Sequence, residues 1–238
     1  MAYILLDPNI FGLKLNAFDV YNLSIGNNIF KDEFISIRWI NKRLLNNEYL
    51  NDAVSAGSLE CLQYLFEQGY TCDIRTCQLA AANGHLVCLR YLHEHGCEWD
   101  WRTCTLTAEN GHLDCLRYAH EHGCDWIWLT CGFAAKNGHL DCLRYAHENN
   151  VPWYKGVCEA AAENGHLNCL RYAHEEGCEW DKETCWEAAH NGHLDCLIYA
   201  IDNGCEWNEE ICKALHRDVI EYLHTRGICV KKFGRRKW

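Results

Sequence analysis

Six glycines, Gly57, Gly84, Gly111, Gly138, Gly165 and Gly192, stand 27 residues apart without exception. A fixed period of this size marks a repeat architecture, in which each unit buries its apolar face only against its neighbours. Four more columns keep the same step. Cys61, Cys88, Cys115, Cys142, Cys169 and Cys196 form one, and Cys77, Cys104, Cys131, Cys158, Cys185 and Cys212 a second. Trp99, Trp126, Trp153, Trp180 and Trp207 make a third, and a tyrosine column runs from Tyr64 to Tyr199. The array divides into units 50–76, 77–103, 104–130, 131–157, 158–184 and 185–211. A truncated seventh, 212–230, regains register at His216, Asp218, Tyr222, His224 and Gly227.

Within the unit 104–130, Asn110-Gly111 breaks the chain into a short front half and a longer back half. In the back half Leu113, Cys115, Leu116 and Ala119 share one helical arc, opposite Asp114, Arg117 and Glu121, and Gly123 is placed to end the helix in a left-handed cap. In the front half Cys104, Thr107 and Ala108 share one face behind Thr103, a candidate helix cap. No alternating pattern competes for a strand. The expected fold is all-α, a solenoid of stacked helix pairs. Residues 1–49 lack the period but carry apolar clusters such as Phe34, Ile35, Ile37, Trp39 and Ile40, which suit an N-terminal cap or a small appended module.

The segment A-A-x-N-G-H-L-D-C-L-R-Y-x-x-E-x-G-C-x-W resembles the ankyrin repeat, whose consensus reads A-A-x-x-G-H-L-E-V-V-x-x-L-L-x-x-G-A-x-V, and the likeness runs through residues 50–230. The family unit is about 33 residues long, so about six are missing here. They fall between Trp126 and Thr130, where ankyrin repeats carry a hairpin finger. Thr103-Cys104 also replaces the Pro-Leu of the family's front helix. Short Cys- and Trp-rich units of this kind resemble the ankyrin-type proteins of giant DNA viruses of protists. The resemblance implies a non-enzymatic scaffold that binds a partner protein, of the host cell if the source is viral, through a mode the truncated fingers must alter.

The 18 cysteines include no C-x-x-C pair, and the chain lacks tetrahedral ligand spacing, so the thiols read as small buried hydrophobes. Cys97, Cys124, Cys178 and Cys205 share a further column with Val151, which marks a packing position. A metal- or redox-responsive cysteine-rich protein is the competing reading. His85, His112, His139, His166 and His193 follow the glycine at a helix start and suit hydrogen bonding at that turn. His93, His120, His147 and His174 share a column with Phe66 and Ile201 and are expected to be enclosed neutral imidazoles. The Trp99 column is expected to fill the seam between units, with each indole N–H on a backbone acceptor. Every Cys–His or His–Glu proximity is repeated several times, whereas an active site needs one asymmetric constellation, so no catalytic residue, metal or cofactor is assigned.

Constant columns serve the stack, and free columns remain for a partner. The free positions of the front helix are Gln78, Thr105, Gly132, Glu159 and Trp186; Leu79, Leu106, Phe133, Ala160 and Glu187; and Ala82, Glu109, Lys136, Glu163 and His190. At 100° per residue they lie opposite the Cys-Ala-Ala face and predict one exposed strip. Trp101 and Trp128, in another variable column, join it as aromatic recognition candidates.

A net charge of −11 argues against general nucleic-acid binding, and no stretch is long and apolar enough to span a membrane. The N-terminus MAYILLDPN lacks a charged region and a cleavage site, which predicts an intracellular, cytoplasmic protein. The basic tail 231–238, with Lys231, Lys232, Arg235, Arg236 and Lys237, is the one place that suits nucleic acid or a nuclear address. Residues Leu15 to Leu44 weakly resemble an F-box, which gives an alternative function: an adaptor recruiting a ubiquitin ligase through residues 1–49.

Overall fold

A computed structural model of the chain describes residues 48–207, 211 and 216–228. The expected cap or F-box-like segment, apart from Glu48 and Tyr49, and the basic tail lie outside the described residues. Among the described residues there are thirteen α-helices and no strand. The chain divides after Thr103 into two compact units.

In the first unit, α1 (Glu48–Ser55) and α2 (Leu59–Glu67) form one helix pair, and α3 (Ile74–Ala82) and α4 (Leu86–Glu94) the next. Front helix α1 packs on front helix α3, and back helix α2 on back helix α4. Helix α5 (Trp101–Glu109) runs across the division. The second unit continues with α6 (Leu113–Glu121), α7 (Leu129–Lys136), α8 (Leu140–Glu148), α9 (Gly156–Glu163), α10 (Leu167–Glu175), α11 (Lys182–His190), α12 (Leu194–Asp202) and α13 (Arg217–Thr225). Here α7, α9 and α11 pack in series as a front layer, and α6, α8, α10 and α12 as a back layer.

The constant columns form the core, as their periodicity predicts. Leu116, Leu143, Leu170 and Leu197 of the back layer are fully buried, and so are Ala134, Ala161 and Ala188 of the front layer. Each leucine contributes roughly 1.5–3 kcal/mol of burial free energy. The small alanines and cysteines let front helices approach closely. Opposite them, Asp114, Arg117 and Glu121 are exposed, as their arc requires.

The Gly–His pair of columns has a geometric cause. Gly138 lies at φ 76° in the left-handed region, which favours glycine. A Cβ on it would stand 2.6 Å from Nδ1 of His166, whose ring lies over the turn. The same placement recurs for Gly57 with His85, Gly111 with His139, Gly165 with His193 and Gly192 with His216. The histidines thus serve the preceding unit's turn: His85 Nε2 is 3.1 Å from the Ser55 carbonyl. None of them caps its own helix with its side chain.

Thr103 is not the cap of its front helix. Helix α5 starts at Trp101 and Thr103 is fully buried within it, while the Asp100 carboxylate accepts a hydrogen bond from the Arg102 N–H at 3.1 Å. Asp73 closes a capping box with Thr76, and Asp181 accepts from the Glu183 N–H. An aspartate carboxylate is the stronger helix-start acceptor, because it also meets the positive end of the helix dipole.

Candidate protein-binding face

Between back helices, the second unit carries a ladder of unlike rings. His120 stacks on Trp126 at 3.8 Å, His147 on Trp153 at 4.1 Å and His174 on Trp180 at 3.7 Å. Each of these imidazoles shares a 3.0 Å hydrogen bond through Nδ1 with the hydroxyl of the next unit's tyrosine, Tyr145, Tyr172 or Tyr199. Arg117, Arg144 and Arg171 lie over those same tyrosine rings. In the first unit His93 stacks on Trp99 at 3.9 Å.

The tryptophans therefore join successive units, and the Trp153 indole donates to the Glu176 carbonyl at 3.1 Å, the kind of acceptor expected. They are half-buried rather than enclosed, and Trp207 is 41% exposed. The histidine column is likewise half-buried, because it lies at the margin of the back layer. These rings link successive back helices.

There the three free columns behave differently. Column one turns toward the following front helix. Thr105 is only 5% exposed and its hydroxyl lies 3.5 Å from that of Thr130, so its expected exposure is corrected. Gly132 is buried beneath the Tyr154 ring. Gln78 donates to the Asp100 carboxylate at 2.9 Å, and Glu159 meets Lys155 at 3.8 Å. The reason is the short unit: front helices pack directly on one another, and side chains at this angle enter that contact. Trp186, the last of the column, is half-buried and stacks on His190 at 4.5 Å.

Columns two and three stay accessible. Leu79, Leu106, Phe133, Ala160 and Glu187 are half-buried, as are Ala82 and Glu109, while Lys136, Glu163 and His190 are exposed. Of the aromatic pair, Trp128 is 47% exposed, its ring set edge-on to Tyr154 at 4.5 Å. Trp101 is half-buried with the Arg102 guanidinium 5.3 Å from its ring.

Charge changes along the face. Burial and the nearby Asp181 carboxylate push Glu159 above the usual carboxylate range, and burial with Glu163 does the same to Glu187. Asp181 is drawn below that range by its 2.9 Å ion pair with Lys155. Glu159 and Glu187 thus give up their protons less readily than an isolated carboxyl, while Asp181 is held ionised by Lys155.

Burial also lowers His166 below the ordinary histidine value, against a hydrogen bond to the Lys136 carbonyl that raises it. The folded chain holds this proton less tightly than the unfolded one, so its contribution to stability is complete above about pH 6.5 and is lost as pH falls toward the folded value. An NMR titration of the His166 ring should give a midpoint below that of a free histidine.

Among the described residues no three His, Cys, Asp or Glu side chains come together as a metal site. Nor is any described helix long and apolar enough to cross a membrane. Two cysteines depart from the expectation of reduced core thiols. Cys97, in the valine-like column, is buried but joined by a disulfide to Cys72, with Cα atoms 5.8 Å apart. Cys72 stands where later units carry the seam tryptophan, so the column pattern alone does not reveal it.

Residues 50–130 match the family model described as Ankyrin repeats (3 copies). A solved structure, the crystal structure of the human ASB11 ankyrin repeat domain, superposes with a TM-score of 0.58 at 20% sequence identity, covering 66% of this chain and 84% of that one. The fold is an ankyrin-repeat fold. No curated protein matches the sequence. Ankyrin repeats are in general protein–protein interaction modules and typically non-enzymatic scaffolds. Between successive helix pairs of residues 48–190 the connection is six or seven residues long.

Proposed function

We propose that the chain is a non-enzymatic scaffold that grips a partner protein along columns two and three of its front helices. The observation that carries this reading is the split among variable positions: column one is taken up by packing, while Phe133, Lys136, Glu163, Glu187 and His190 remain accessible at matching angles on α7, α9 and α11. A free surface of this kind, apolar near Leu106 and Phe133 and acidic near Glu163 and Glu187, fits a partner segment with an apolar anchor followed by basic residues. Trp128 supplies a further aromatic contact beside it. By the likeness of the units to giant-virus arrays, the partner belongs to a host cell and the setting is intracellular.

The double substitution Phe133→Ala with Trp128→Ala is expected to weaken partner capture by about tenfold or more, the loss of one or two interface anchors. Helix content by circular dichroism should be unchanged. Quantitative affinity capture with mass spectrometry, set against an Asp141→Ala control on the exposed arc of α8, checks this. Equal loss for both variants, or for neither, rules out the front-layer strip. Glu163→Lys with Glu187→Lys should weaken capture most at low salt, since exposed charges are screened as ionic strength rises.

A further inference from the structure

Thiol chemistry in this chain is confined by burial. The 14 free cysteines among the described residues are all buried. Burial pushes Cys88 and Cys115 up to about 11 and Cys142 and Cys169 up to about 12. Cys178 and Cys205 are drawn down by hydrogen bonds from Cys158 and Cys185, yet each is only 3% exposed. Since the thiolate is the reacting species and must be reached from solvent, none of these is placed to exchange.

Cys72 is the exception. It is half-buried, and it lines an open depression together with Asp73, Ile74, Arg75, Gly96 and Glu98. Its partner Cys97 lies behind it at 5% exposure. Arg75 brings a cation to the depression where an attacking or departing thiolate would stand, and Asp73 and Glu98 oppose it. The bond also replaces something. Cys72 occupies the tryptophan column and Phe66 the histidine column, so the first repeat lacks the His–Trp stack found in the next four. A covalent link spanning 25 residues stands there instead.

We propose that Cys72 and Cys97 are a redox-controlled staple between the first two repeats, opened and closed by thiol–disulfide exchange at Cys72. To close it, the Cys72 thiolate attacks a small-molecule disulfide such as oxidised glutathione and expels one reduced thiol. The Cys97 thiolate then attacks the Cys72 sulfur of the mixed disulfide and expels the second. Two protein thiols become one disulfide, and one glutathione disulfide becomes two thiols; opening is the reverse. The staple ends at the residue before Asp73, the N-cap of α3, and so fixes the entry to the helix that carries Gln78 and Leu79.

The full chain, equilibrated in glutathione buffers of graded ratio, quenched, denatured and alkylated, tests this by peptide mass spectrometry. A single Cys72–Cys97 cross-link should appear and vanish across the series, all other described cysteines staying alkylatable. In the reduced native protein Cys72 should be alkylated roughly tenfold or more faster than the buried thiols. Hydrogen exchange over residues 48–71 should quicken on reduction, and Cys72→Ser should show the quick rate in either buffer. Unchanged exchange over residues 130–200 in that variant controls for folding. A cross-link absent at every ratio, a different pairing, or equal exchange over 48–71 in both states would overturn the proposal.

Discussion

Gly138→Ala is expected to destabilise the protein by about 3 kcal/mol, and Gly123→Ala by only about 1 kcal/mol, in urea melts of otherwise identical chains. Both glycines are left-handed, at φ 76° and 82°, so the backbone cost of a side chain is shared. It is roughly 1–2 kcal/mol, partly offset by the reduced freedom of the unfolded chain. What differs is the surroundings. A Cβ at Gly123 meets nothing within 4 Å, whereas at Gly138 it would overlap the His166 ring. That ring is tied to the Lys136 carbonyl and packed over the turn, so it yields only by giving up the contact between units. Equal destabilisation of the two variants would show that the histidine moves aside freely, and the invariance of the Gly–His pair would then need another cause.

Trp153→Ala should cost about 3 kcal/mol, at the low end of values for a tryptophan truncation because the side chain is half-buried. It removes a stack on His147 at 4.1 Å, an edge contact with Tyr172 at 6.2 Å and the hydrogen bond to the Glu176 carbonyl. Trp153→Phe keeps a ring in the slot and should lose about 1 kcal/mol, close to one hydrogen bond. Thermal or urea unfolding of the three proteins decides the matter. If Trp153→Ala melts with the wild type, the ring ladder is decoration on a stack held by its leucines and alanines alone.

The helix pairs, the buried cysteines of the constant columns and the glycine breaks between helices were legible because six copies of one unit test each position six times, whereas the covering of a glycine by the next unit's histidine was not. Legibility ended where variation has two causes. A position varies when nothing touches it, but also when what touches it varies in step. Gln78 faces Asp100, Thr105 faces Thr130 and small Gly132 admits large Tyr154. Each pair is matched locally and none repeats, so column one looks as free as column three when columns are read singly. Reading them jointly, with an offset of 22 to 25 residues, would have exposed the matching. Cys72 was hidden for a related reason. It belongs to no cysteine column, and a disulfide partner cannot be deduced from spacing alone.

The reach from a glycine to the imidazole that covers it, 28 residues at four of the turns and 24 from Gly192 to His216, has a genetic corollary. Excising or duplicating any 27 consecutive positions within 131–211 rejoins a glycine to an equivalent histidine at an unaltered separation. Such an array lengthens or shortens by whole cassettes with every new junction already fitted.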